Sequence, residues 1–160
     1  MFARRNRPIS YNHPSRRATT TVEMAIVLPV FLLLLFVIFE FGHAQLINNV
    51  LNSACRNAAR IGAVEGSSTA QVRSKVEQMI GTVVPAGTVQ IFVKNASSFD
   101  GGSTAQGAEL EELPDIELSD TDSRTLFVVR AKVPYGSVAI VPMPFLENVE
   151  IDAQAFMRHE

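Results

Sequence analysis

Acid–base or nucleophilic chemistry needs titratable side chains gathered in one place, and this 160-residue chain offers few candidates. His13 precedes a long apolar run, His43 sits at its far end and His159 is next to last, so no histidine is expected within the folded body and no acid–base pair emerges. Cys55 stands alone, which forbids an intramolecular disulfide; on an exposed helix it reads as a small side chain rather than a reactive thiol. "EGSS" at 65–68 suits a helix junction better than a nucleophile elbow. Nothing in the sequence calls for a cofactor. The polar residue that stands out is Glu23, in "ATTTVEMAIVLPVFLLLLFVIFEFG", a carboxylate one turn into a segment that is otherwise almost wholly apolar.

That segment is the element that must position Glu23. Met24 to Phe39 is 16 residues without a charge. At about 1.5 Å per residue this gives roughly 24 Å, a little short of a ~30 Å hydrocarbon core. Val22 before the run, and Phe41, Gly42, Ala44, Leu46 and Ile47 after Glu40, extend it to a spanning length. Arg4, Arg5, Arg7, Arg16 and Arg17 precede the run and none follows closely, which puts the N-terminus in the cytoplasm and exports the remainder. A cleavable secretory signal has a similar layout, with Gly42 and Ala44 before a cut at Gln45, but the run is longer than an ordinary signal core and is bracketed by acids.

Net charge is −2, and the signs are segregated. From Phe41 onward nine basic residues face fourteen acidic ones, a balance of −5. A basic start and a mildly acidic body argue against a nucleic-acid partner, which would require positive charge on the folded part. They fit a chain whose first partner is the lipid bilayer.

Beyond the apolar run, Ala44, Ile47, Leu51, Ala54, Ala58 and Ile61 recur at steps of three and four, one face of a helix. The spacing predicts a continuous helix from about Val22 to Val64, containing Pro29 and ending near Gly62 or Gly66. Its stripe packs on the chain's own domain, on a partner, or on both at once. Ser68 and Gln71 form a capping-box pattern that opens a second helix, with Val72, Val76 and Ile80 on one face and Gly81 at its end. Three alternating stretches, 88–95, 124–133 and 148–159, read as half-buried strands. Between the first two lies a connection, 97–123, with eight acids and no base from Asp100 to Asp122, expected to be a solvated loop or, given Asp120 and Asp122, a calcium loop without an EF-hand pattern. "YGSVAIVPMPFLE" carries Pro142 and Pro144 around Met143 and is expected to pack on the sheet edge or the helix. The fold class is α+β: a leader (1–21), a transmembrane helix (22–44), its extension (45–66) and an extracytoplasmic domain (67–160) with a small antiparallel sheet packed on helices.

The run from Ala18 to Gly42, followed by "NNVLNSACRNAARIGA", resembles the TadE-like pseudopilins, in which a glutamate opens the membrane helix and "EFG" closes it. The C-terminal "VPYGSVAIVPMP…VEIDAQAFMRHE" is similar too, so the likeness covers roughly 16–66 and 124–160. The resemblance implies a non-enzymatic component of a tight-adherence pilus assembly or secretion apparatus. It would be single-pass in the bacterial inner membrane, with pilus-assembly proteins and other pseudopilins as partners. It also implies processing by a prepilin peptidase between Ala18 and Thr19, with alanine standing where the family pattern carries glycine, and an assembly role for Glu23. If the leader is kept, the chain is a permanent anchor. The alternative function is a membrane-tethered extracytoplasmic binding or adhesion module that uses the acidic loop.

Overall fold

A computed structural model describes residues 16–85, 87–101, 110–141 and 148–160, with side chains from Thr20 onward. Arg4, Arg5 and Arg7 lie outside the described residues, as does 142–147 of the proline-containing loop. Two units divide the chain, Met1–Ile38 and Phe39–Glu160.

Helix α1 spans Arg16–Gly62 and contains Pro29. It starts before the expected Val22, since no proline or glycine interrupts Arg16 to Val22 and Ala18 favours a helix. From Thr20 it is long and apolar enough to cross a membrane, and its large apolar side chains from Val22 to Phe39 are exposed except Leu35, which is half-buried. This is the α+β layout: a long apolar helix, a second helix and a three-stranded antiparallel sheet.

In the second unit, α2 (Thr69–Ile80) begins with a complete capping box. The Ser68 side chain accepts from the Gln71 N–H, and the Ser68 N–H donates to the Gln71 side chain. Strands β1 (Gln90–Asn95), β2 (Leu126–Pro134) and β3 (Glu150–Arg158) pair in the order β1-β2-β3, with Val93 opposite Val129 and Val129 opposite Ala155. One core joins Ile47, Leu51, Ala54 and Ala58 of α1 with Val72, Val76 and Ile80 of α2. The sheet contributes Val93, Phe127, Val129, Ala131, Val133, Ile151 and Ala153.

The apolar stripe of α1 departs from its expected course at the end. Ala44 is partly buried and Ile61 is 37% exposed, whereas Cys55 and Ala59 are fully buried. A seven-residue step on a straight α-helix falls about 20° short of two full turns. A stripe spaced as 47, 54, 61 therefore rotates away, and Gly62 takes over the contact. A Cβ there would lie 2.9 Å from Leu118 Cδ1, 2.9 Å from Val72 Cγ2 and 3.1 Å from Phe127 Cζ. Cys55 is correspondingly not on an exposed surface: its Sγ lies 3.5 Å from the Ala153 carbonyl oxygen, and burial pushes its thiol up to about 11.

The described parts of the acidic connection, 97–101 and 110–123, are more structured than a solvated loop, and Glu109 lies outside the described residues. Residues 110–118 cross the outer face of the sheet, where Leu110 packs on Ala96 and Val128, and Leu118 enters the main core. The Asn95 N–H donates to the Pro114 carbonyl (2.9 Å), and Lys94 pairs with Asp115 (3.0 Å). Glu111 pairs with Lys132 and lies 3.7 Å from Arg130, which also holds Asp152 at 2.9 Å. The Lys132 ammonium holds the Glu111 carboxyl below its ordinary value. With this strap in place β2 is covered on both faces, not half-buried. No group of three potential ligands gathers around a metal-sized site among the described residues.

Histidine 159 corrects the view that no histidine enters the folded body. It is buried, with Nδ1 2.9 Å from the Gly62 carbonyl oxygen. The chain end is tied down on both sides: the His159 N–H donates to Thr125 O (3.0 Å) and the Glu160 N–H to Ala63 O (2.8 Å).

Candidate functional site

A buried and closely held charged group in the second unit is Glu40, the glutamate of "EFG". It is 6% exposed. Helix α1 carries it, and residues 135–141, which follow β2, bond to it. Pro134 is the last residue of β2, and Tyr135–Ser137 then forms a 3-10 turn. The Ser137 hydroxyl donates to the Pro134 carbonyl (2.6 Å), and the Tyr135 N–H donates to Val149 O (2.7 Å). So fixed, Tyr135 donates its hydroxyl to Glu40 Oε1 at 2.7 Å. The Ile140 N–H donates to Oε1 and the Val141 N–H to Oε2, each at 3.2 Å.

A buried carboxylate is costly unless its oxygens face donors, and hydrogen bonds to an ionised acceptor are about twice as strong as neutral ones. Here one hydroxyl and two backbone amides meet that need. Burial, and then the hydrogen bond to Glu40, raise the Tyr135 phenol well above its ordinary value, so it remains a donor. The His43 ring lies 6.4 Å from the Tyr135 ring, tilted by 49°. The arrangement clasps the β2–β3 connection to the helix. Tyr135→Phe removes one of the three donors and is expected to lower stability by about 1.5–3 kcal/mol, the range for a hydrogen bond to a charged group. Amide exchange at Ile140 and Val141 should accelerate with it; unchanged protection there would show that the clasp does not hold the loop.

The residues singled out in the sequence fall elsewhere. Glu23 is exposed on α1, in the first unit. Arg16, Arg17, Ala18 and Thr19 lie in the first turns of the same helix. Ile47, Leu51, Ala54 and Ala58 are completely buried in the core of the second unit. On the opposite side of α1, Asn49, Ser53, Arg56 and Arg60 are exposed and leave a polar, basic face. Glu40 gave no local signal of its role, because its partners lie 95 to 101 residues away.

The comparison with known families converges on this helix. Residues 18–60 match the family model "TadE-like protein". The matched segment contains Glu23, Glu40, the buried stripe from Ile47 to Ala58 and the polar face up to Arg60. It stops before the C-terminal region, 124–160, that supplies Tyr135 and the two amides. Comparison with curated proteins and with solved structures gave no match.

Proposed function

We propose that this chain is a membrane-anchored minor pilin or pseudopilin of a tight-adherence pilus apparatus, with a structural, non-enzymatic role. The observation that carries this reading is the TadE-like match over 18–60, which falls on a helix apolar enough to span a bilayer and continuing into a folded unit. The five arginines before the apolar run favour a cytoplasmic N-terminus in the inner membrane and an exported C-terminal domain. Partners are inner-membrane assembly proteins and other pseudopilins, with the exposed polar face of α1 available to them once the buried stripe is committed to the core.

Glu23 has a use in this setting. A carboxylate at a helix centre in hydrocarbon costs about 2.5–3.5 kcal/mol on insertion scales, although near a helix end it reaches the interface for less. A cut between Ala18 and Thr19 by a prepilin peptidase leaves the Thr19 α-amino group one turn from Glu23. An amine of that kind on a neighbouring subunit can pair with the carboxylate inside the bilayer. Glu23→Gln keeps the shape and removes the charge. It should leave insertion and cleavage intact while reducing cross-linking to apparatus partners about tenfold, the equivalent of ~1.4 kcal/mol. Equal cross-linking by the variant would remove the assembly role of Glu23 and favour a plain anchor. Intact mass of the membrane-extracted chain separates loss of residues 1–18 from retention of the leader.

A further inference from the structure

Within the second unit, α1 gives one face to the core and leaves the other bare. Asn49, Ser53, Arg56 and Arg60, at steps of four, three and four, are exposed along it, and with Asn52 and Asn57 they line a shallow open recess. Every one of these side chains can donate hydrogen bonds, and no acid occurs in the sequence from Phe41 to Val64. Elsewhere in the unit Lys94, Arg130, Lys132 and Arg158 each meet a carboxylate. Arg56 and Arg60, one turn apart, have no ion-pair partner among the described residues.

The complement to this face lies in the same fold. After Glu117 the chain makes the 3-10 turn Leu118–Asp120 and then a turn into β2, where the Thr125 N–H and hydroxyl both donate to Asp122 O (3.3 and 2.8 Å). Asp120 and Asp122 are exposed on these turns and pair with no cation among the described residues. Leu118 closes over Gly62, so the turns stand at the same end of the unit as Arg56 and Arg60. Gly62 is about 200° round the helix from Arg60, which keeps the aspartates off the basic face of their own chain. Two copies side by side, with residues 39–62 running in the same direction, bring the arginines of one level with the aspartates of the other. From Phe41 onward nine bases face fourteen acids, so like copies repel unless surfaces of opposite sign meet.

We infer that the exposed face of α1 is an interface with a second copy of this chain, in which Arg56 and Arg60 seat Asp120 and Asp122 of the neighbour. A single exposed ion pair contributes little, but two guanidinium forks that match carboxylates, flanked by side-chain amides, act as a set. The contact is heterologous. Each copy keeps one basic face and one acidic turn free, so copies add in a row rather than closing as a two-fold dimer. The inference rests on the membrane-anchored reading above, which gives neighbouring chains one orientation.

The test co-expresses two versions of the full chain in one membrane, one with Ser53→Cys and one with Ser123→Cys, and treats them with a short bismaleimide. Both sites are exposed, and the native Cys55 is buried. The Ser53→Cys chain should link to the Ser123→Cys chain and not to itself. Arg56→Glu with Arg60→Glu on the first chain should cut the mixed product at least about tenfold, as should Asp120→Lys with Asp122→Lys on the second. The two reversals together should restore it, which also shows that the reversed chains are folded. The proposal is overturned if the mixed product is absent with native charges, if the double reversal does not restore it, or if the Ser53→Cys chain links to itself or only to a different protein. Release of the chain from the membrane by alkaline washing is a different failure, that of the anchored reading itself.

Discussion

Replacing Leu51 with aspartate is expected to unfold the domain that follows the apolar run, whereas replacing its neighbour Asn52 is expected to be mild. Leu51 is completely buried in the core that joins α1, α2 and the sheet. Truncation of a buried leucine alone costs about 2–5 kcal/mol. Aspartate adds an unpaired carboxylate to the same space, so the combined loss reaches the ~5–15 kcal/mol that holds a typical domain together. Asn52 is half-buried and donates its side-chain amide to Asn48 O at 2.9 Å. Asn52→Asp loses that donor, a change of about 0.5–1.5 kcal/mol. Thermal unfolding of the detergent-solubilised chain checks the pair. Equal effects would place the wrong face of α1 in the core.

Gly62→Val is expected to be the most damaging substitution at any described glycine. The backbone there is ordinary, and what the position lacks is room: three side chains from α2, β2 and the 3-10 turn at Leu118–Asp120 close over it at 2.9–3.1 Å. Overpacking a filled core costs about 1–3 kcal/mol per event, and valine brings two methyl groups beyond the Cβ that already collides. Gly66 makes the useful contrast. Its φ is +78° with no atom within 4 Å of an added Cβ, so Gly66→Ala costs only backbone strain, about 1–2 kcal/mol. Combining Gly62→Val with Leu118→Ala should recover part of the loss, because the truncation opens space where the valine intrudes. Strict additivity in chemical denaturation would show that space is not the issue at Gly62.

These residues also mark where local pattern stopped being informative. The capping box at Ser68 and Gln71, and the alternation in β3, are patterns within a few residues, and their physics is written in adjacent letters. Helical spacing brought Ile47, Leu51, Ala54 and Ala58 to one face, yet it missed Gly62, because a small residue announces nothing until its neighbours are known. Composition made 97–123 look solvated, since eight carboxylates outweigh a few leucines in any local count. What pulls the strap in is non-local: Leu110 finds Val128, and Glu111 finds Lys132 and Arg130. The Glu40 clasp was equally hidden. In sequence Glu40 is one of two acids bracketing an apolar run, and only the fold returns Tyr135, Ile140 and Val141 to it.

The contrast between Glu23 and Glu40 bears on function. Glu40 is satisfied within its own chain by a hydroxyl and two amides, whereas Glu23 is exposed on the helix. Both lie in the segment that matches the TadE-like model, at opposite ends of the charge-free run. Glu40 ties residues 135–141 to its own helix, and under the function proposed above Glu23 is the one left for contacts with other subunits.

All of this depends on a helix that spans the membrane with its arginines inside and its folded unit exported. The most direct measurement is the location of the C-terminus in cells, read with a pair of reporters fused after Glu160, alkaline phosphatase, active only outside the cytoplasm, and a fluorescent protein that matures only within it. The account predicts phosphatase activity and a dark fluorescent fusion; a fluorescent C-terminus with inactive phosphatase would contradict it.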